Sequence, residues 1–197
     1  MEVKVRDDVF SCEPPALAGI LRDGAQVGFR LASEPRTGSL LRVLAGSKPG
    51  GRLLELGTGT GVATAWLLAG MDAATRLETV DSDPSVVEVA RTHLGGDPRV
   101  RFNIAEGGDW LRRWSGGPFD LVFADAWSGK FSDLDAALRL LAIGGLYVID
   151  DLLHQPSWPD GHGPRIEPLL AELEGRPDLA CVRLAWSSGL AIAVKRA

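Results

Sequence analysis

The stretch Leu53-Leu54-Glu55-Leu56-Gly57-Thr58-Gly59-Thr60-Gly61 decides the fold, because a short apolar run leads into three glycines at alternate positions. An apolar strand entering a glycine turn brings backbone close to a ligand, since residues without Cβ adopt positive φ and leave room. The segment therefore reads as a nucleotide-binding turn. Dinucleotide sites spell G-x-G-x-x-G and set a pyrophosphate on a helix N-terminus. Here the third glycine, Gly61, comes one position early, and Val62 stands where theirs would be. Glu55, two residues before Gly57, suits a ligand carrying positive groups and would repel a phosphate.

Working outward, short apolar runs recur at 53–56, 76–80, 100–104, 121–124 and 146–149, as buried parallel strands do. Helices fit between them. Pro84 suits the first turn of one, after the capping residues Ser82 and Asp83, with Val86, Ala90 and Leu94 four apart. A second helix is expected to bury Leu134, Leu138 and Leu141, and a third Ile166, Leu169, Leu170 and Leu173. The alternation predicts an α/β fold, a Rossmann-like, doubly wound and mainly parallel sheet. Residues 180–186 and 190–194 read as strands joined by Ser187-Ser188-Gly189, too short for a parallel crossover, so the sheet should end in an antiparallel hairpin. Two helices, at 14–21 and 35–44, precede the glycine turn.

The chain has 197 residues, 45% of them hydrophobic, which suits one domain with a sizeable core. It divides into an N-terminal helical cap at 1–48 and a ligand-binding core at 49–197. A net charge of −5 argues against a nucleic-acid partner and favours a small-molecule substrate. Cys12 and Cys181 are far apart and indicate neither a disulfide framework nor a zinc site. Residues 1–8 lack a signal-peptide core and no run reaches membrane-spanning length, so a cytoplasmic protein without membrane contact is expected. Apolar residues around Val27 and Phe29 suit a homodimer contact.

Ligands of open α/β sheets sit at the carboxyl ends of strands. Asp81 ends the second strand about twenty residues past the glycines, where an acid can accept both ribose hydroxyls of a nucleoside. With Glu55 and the glycines, the turn resembles the first motif of the class I S-adenosylmethionine-dependent methyltransferases. That resemblance implies S-adenosylmethionine held by Glu55, Gly57, Thr58, Gly59, Gly61, Asp81 and Ser82. In similar enzymes an acid and a small residue after the third strand bind adenine, which places Glu106 and Gly107 there. Asp109 competes with Glu106, or simply favours the start of a helix.

The fourth strand runs into Asp125-Ala126-Trp127-Ser128-Gly129-Lys130-Phe131, and the fifth into Asp150-Asp151. From Glu34 to Arg196 the order and spacing resemble the catechol and caffeoyl-CoA O-methyltransferases, a branch often dependent on a divalent cation. The resemblance implies magnesium or calcium on Asp125, Asp150 and Asp151, with Asp125 and Trp127 also beside the cofactor. Family members place a catalytic lysine three residues after the first metal acid. Here that position is Ser128, and the lysine is Lys130 in a loop two residues longer. Lys130 and His154 are the candidate catalytic groups, with His162 ranked below His154. Trp66, Trp110, Trp114 and Trp186 suit packing, while Trp127 and Trp158 suit ligand walls. The implied activity is O-methylation of a small hydroxylated molecule. Its rivals are a metal-independent enzyme, a non-catalytic S-adenosylmethionine-binding protein, and a nicotinamide-dependent oxidoreductase, which Val62 disfavours.

Overall fold

The computed structural model describes residues 12–196, so the N-terminal stretch read above lies outside it. In chain order the elements are α1 (Leu17–Gln26), α2 (Pro35–Gly46), β1 (Arg52–Leu56), α3 (Val62–Gly70), β2 (Arg76–Asp81), α4 (Pro84–Leu94) and β3 (Val100–Ile104). Then come α5 (Gly107–Arg113), β4 (Phe119–Ala124), α6 (Leu134–Arg139), β5 (Leu141–Ile149), α7 (Ile166–Gly175), β6 (Leu179–Leu184) and β7 (Leu190–Lys195). The strands form one sheet in the order β3-β2-β1-β4-β5-β7-β6. β1 to β5 pair in parallel, whereas β7 inserts antiparallel between β5 and β6. The doubly wound sheet and its closing hairpin are as the sequence predicts.

The central strands are buried on both faces, and their side chains alternate between two cores. Leu53, Leu121, Phe123 and Val148 face one core with Leu17, Ile20, Leu41 and Trp66 from α1, α2 and α3. Leu54, Val122, Tyr147 and Ile149 face the other with Leu111, Leu134, Leu138 and Leu169 from α5, α6 and α7. Each fully buried Leu stabilises the fold by about 1.5–3 kcal/mol relative to exposure. α2 and α3 approach closely because Gly38 has no Cβ; one built there would lie 2.3 Å from the Trp66 ring. At the start of α4, the Asp83 carboxylate accepts the Ser85 backbone N–H at 2.8 Å, and Pro84 begins the helix.

Two expectations are corrected. Leu141 does not extend α6, which stops at Arg139; it begins β5 and pairs with Phe119 across the sheet. β6 ends at Leu184, so Trp186 lies in the connection, where its indole N–H donates to the Arg36 carbonyl at 3.2 Å. No helix among the described residues is long and apolar enough to cross a membrane.

Candidate active site

The strand order reverses between β1 and β4, and the carboxyl ends of these two strands open a crevice. The turn after β1 makes its floor. Gly57, Gly59 and Gly61 have φ of +100°, +50° and +92°, the left-handed region that side chains rarely enter. Crowding adds a second requirement: a Cβ on Gly57 would lie 2.8 Å from the Asp125 carbonyl oxygen, and one on Gly59 2.7 Å from the Phe29 ring. Gly61 does not line the crevice. It serves packing instead, since a Cβ there would lie 2.8 Å from the Ala90 Cβ of α4.

Asp81 is held on both carboxylate oxygens, by the Gly59 N–H at 2.8 Å and the Asp83 N–H at 3.0 Å. Each oxygen keeps a further lone pair for a ligand. Asp81, Ser82, Thr58, Gly59 and Phe29 border a cavity of about 530 Å³. It continues past Asp81 and Trp127 into a smaller recess of about 230 Å³ at Glu106, Gly107 and Ser128. Glu106 is exposed and its side chain caps no helix bond, whereas Asp109 pairs with Arg112 at 2.7 Å. Among the two acids, Glu106 is the one facing the recess.

Glu55 borders none of these cavities. It is 0% exposed, beneath the turn, and its Oε2 accepts the hydroxyls of Thr64 and Thr79 at 2.5 Å each. Its parallel-sheet neighbour in β2 is Thr79, which explains that bond. Since the Thr79 hydroxyl proton goes to Glu55, the Thr58 hydroxyl donates to Thr79 Oγ1 at 2.6 Å. Glu55 Oε1 has no partner. Burial pushes the carboxyl up to about 8, against the pull of the two threonines. The residue expected to meet the ligand thus supports the turn from below.

On the far side of Trp127 lies a chamber of about 270 Å³ bordered by Asp125, Lys130, Asp150, Asp151, Trp158 and His162. Lys130 is only 3% exposed, and its amine makes no hydrogen bond or ion pair among the described residues; it lies 5.4 Å from the Phe131 ring centroid. The loop delivers it there because its turns are bound: the Lys130 backbone N–H donates to the Trp127 carbonyl at 3.1 Å, and the buried Tyr147 hydroxyl donates to the Gly129 carbonyl. Burial, then the Asp150 charge, holds Asp125 well above the usual carboxylate range, while Lys130 opposes both. Asp150 is pushed up to about 6 by burial, against the Ser188 hydroxyl that it accepts.

The histidines change places. His154 is exposed and outside the chamber, its ring 5.4 Å from that of Trp158. His162 is 4% exposed and sits between Trp158, stacked at 4.3 Å, and the edge of Phe131 at 4.8 Å. Its Nε2 lies 2.9 Å from the Asp151 carbonyl, so that nitrogen carries the proton. Burial lowers its pKa.

The loop before α2 supplies what the sequence did not reveal. Ser33 donates to Asp125 Oδ2 at 3.0 Å, and Phe29 and Leu31 cover the crevice. No motif marks these residues. The Phe29 contact with Gly59 accounts for an apolar side chain assigned above to a dimer, while Val27 stays half exposed.

The carboxylates expected to hold a metal border the same chamber, but Asp125 and Asp150 each commit one oxygen to another partner. Asp125 faces Ser33, and Asp150 Oδ1 accepts both Ser188 and the Asp151 N–H, the latter at 2.7 Å. Among the described residues no three metal-ligating side chains are grouped closely enough to hold an ion. As placed, the residues do not fit a divalent cation.

A nucleoside-sized crevice at the switch point of a doubly wound sheet, with an acid on either side of Trp127, defines a nucleotide-dependent enzyme of the Rossmann-like class. The methyltransferase domain family matches residues 54–152. A catechol O-methyltransferase of Mycobacterium tuberculosis strain H37Rv is 35% identical over 153 residues, 75% of this chain and 69% of that protein. Cofactor-bound Rv0187 of the same species superposes with a TM-score of 0.84 at 30% identity, covering 96% of this chain and 94% of its own. The Streptomyces achromogenes O-methyltransferase TomG, solved in complex with S-adenosylmethionine, gives 0.82 at 25% identity over 97% and 94%. The chain belongs to the S-adenosylmethionine-dependent O-methyltransferases.

Proposed function

We propose that the chain methylates a hydroxyl oxygen of a small molecule seated in the chamber beyond Trp127. The observation that carries this reading is the continuity of the crevice with a chamber bordered by a buried lysine and three aspartates. S-adenosylmethionine would lie with adenine at Glu106 and Gly107, ribose at Asp81, and methionine along residues 57–60. Its sulfonium would then fall beside Asp125 and Trp127, which border both cavities.

The reaction is an in-line displacement. The acceptor oxygen forms a bond to the methyl carbon as the sulfur–carbon bond breaks, leaving a neutral thioether, and the hydroxyl proton passes to an aspartate carboxylate. The Lys130 ammonium stabilises the negative charge that builds on the oxygen, and the walls hold the reacting atoms near attack distance. Trp127 and Trp158 present rings to the chamber, which suits a flat acceptor of catechol type. Magnesium or calcium, implied by the resemblance, contributes no step here because the carboxylates are not grouped to ligate it.

Transfer of labelled methyl from S-adenosylmethionine to a panel of catechols and other hydroxylated acceptors tests the reading. Lys130→Met should lower kcat roughly 10²-fold while S-adenosylmethionine affinity is retained. Tight cofactor binding with no transfer to any hydroxylated acceptor would leave the non-catalytic reading in its place.

A further inference from the structure

The position of Lys130 answers a question that the metal-binding expectation leaves open, namely what offsets three carboxylates at adjacent strand ends. Lysine is rarely buried without a partner, because its ammonium is strongly hydrated. Lys130 is nevertheless 3% exposed, on a loop anchored from below by the Tyr147 hydroxyl at the neighbouring Gly129. Its amine hydrogen-bonds to no single acceptor, and its side chain borders the chamber together with Asp125, Asp150 and His162. It belongs to the chamber as a whole. In the loop after Asp125 the lysine stands at position 130 and not at 128, and it borders the chamber.

We propose that the Lys130 ammonium is the fixed cation of the acceptor chamber, standing in for the divalent ion that this branch of enzymes often employs. The inference rests on the acceptor assignment above. A covalently attached cation needs no ligand sphere, which agrees with Asp125 turned to Ser33 and Asp150 turned to Ser188. It also offers the acceptor oxygen an N–H donor. A hard divalent ion prefers several oxygen ligands, and one drawn in among the three aspartates would compete with Ser33 and Ser188 for Asp125 and Asp150 and meet the ammonium's repulsion.

The test is a titration with Mn²⁺, followed by electron paramagnetic resonance, of the wild type and of Lys130→Arg, Lys130→Ala and Lys130→Met. Wild type and Lys130→Arg, which keep the charge, should bind no Mn²⁺ at about 1 mM or below, the range of weak oxygen-ligand sites. Lys130→Ala and Lys130→Met should each gain roughly tenfold or more in Mn²⁺ affinity, since an attraction to the carboxylates is no longer opposed. Either neutral variant suffices if the other fails to fold, as judged by its thermal midpoint. One Mn²⁺ bound tightly per wild-type chain would overturn the proposal, and so would folded neutral variants that gain no affinity. S-adenosylmethionine titration and methyl transfer, measured alongside, report on the enzymatic reading separately, because the Mn²⁺ signal needs neither cofactor nor acceptor.

Discussion

Replacing Glu55 with Gln should change the pH dependence of stability more than stability itself. The wild-type carboxyl is fully buried with one oxygen unpartnered, and burial raises it from 4.5 to about 8. A folded value above the unfolded one means that the unfolded chain releases its proton first as pH rises. The native state is then favoured most below pH 4.5, and that advantage is lost progressively as pH climbs to about 8. At about 1.4 kcal/mol per pH unit, the full span corresponds to roughly 5 kcal/mol. Glutamine has the same shape, still accepts from Thr64 and Thr79, and does not titrate. Urea unfolding of both proteins without cofactor, in buffers from about pH 5 to about pH 8, isolates this one group from all others that titrate. Near pH 5 the two should agree within about 1 kcal/mol, the size of one hydrogen bond. At the alkaline end Glu55→Gln should be the more stable by several kcal/mol, with unchanged m. A difference that stays constant with pH would show that Glu55 is ionised in the fold and that the argument from burial is wrong.

Asp81→Ala should weaken S-adenosylmethionine binding by roughly 5- to 160-fold in calorimetry, from two hydroxyl contacts worth about 0.5–1.5 kcal/mol each; unchanged affinity would refute the ribose assignment. Gly59→Ala should lower the thermal midpoint and weaken cofactor binding. The substitution strains a φ of +50° and drives a Cβ toward Phe29, and the left-handed backbone alone costs about 1–2 kcal/mol. A Gly59→Ala variant as stable and as tightly binding as wild type would remove Phe29 from its place over the turn.

Much of the fold was legible because its signals are local. Alternating apolar strands, the glycine turn, the Asp83-Pro84 helix start and the short Ser187-Ser188-Gly189 connection each act within a few residues. Leu141 was misassigned for the same reason: an apolar residue three positions from the helical Leu138 is also a good first residue for a strand, and only its pairing with Phe119 decides. The direction in which Glu55 points was equally hidden, since its partners Thr64 and Thr79 lie on a helix and on a neighbouring strand.

By itself, the sequence determined the strand-and-helix order, the class of nucleotide turn and the set of acids at the strand ends, all of which follow from spacing along one chain. Tertiary structure alone decided which of those acids border a cavity, that Ser33 reaches Asp125 from 92 residues away, that His162 rather than His154 borders the chamber, and that Lys130 borders it too. These are contacts between segments brought together by the sheet and its covering loops. Side-chain direction, burial and charge pairing there depend on neighbours that no local spacing encodes.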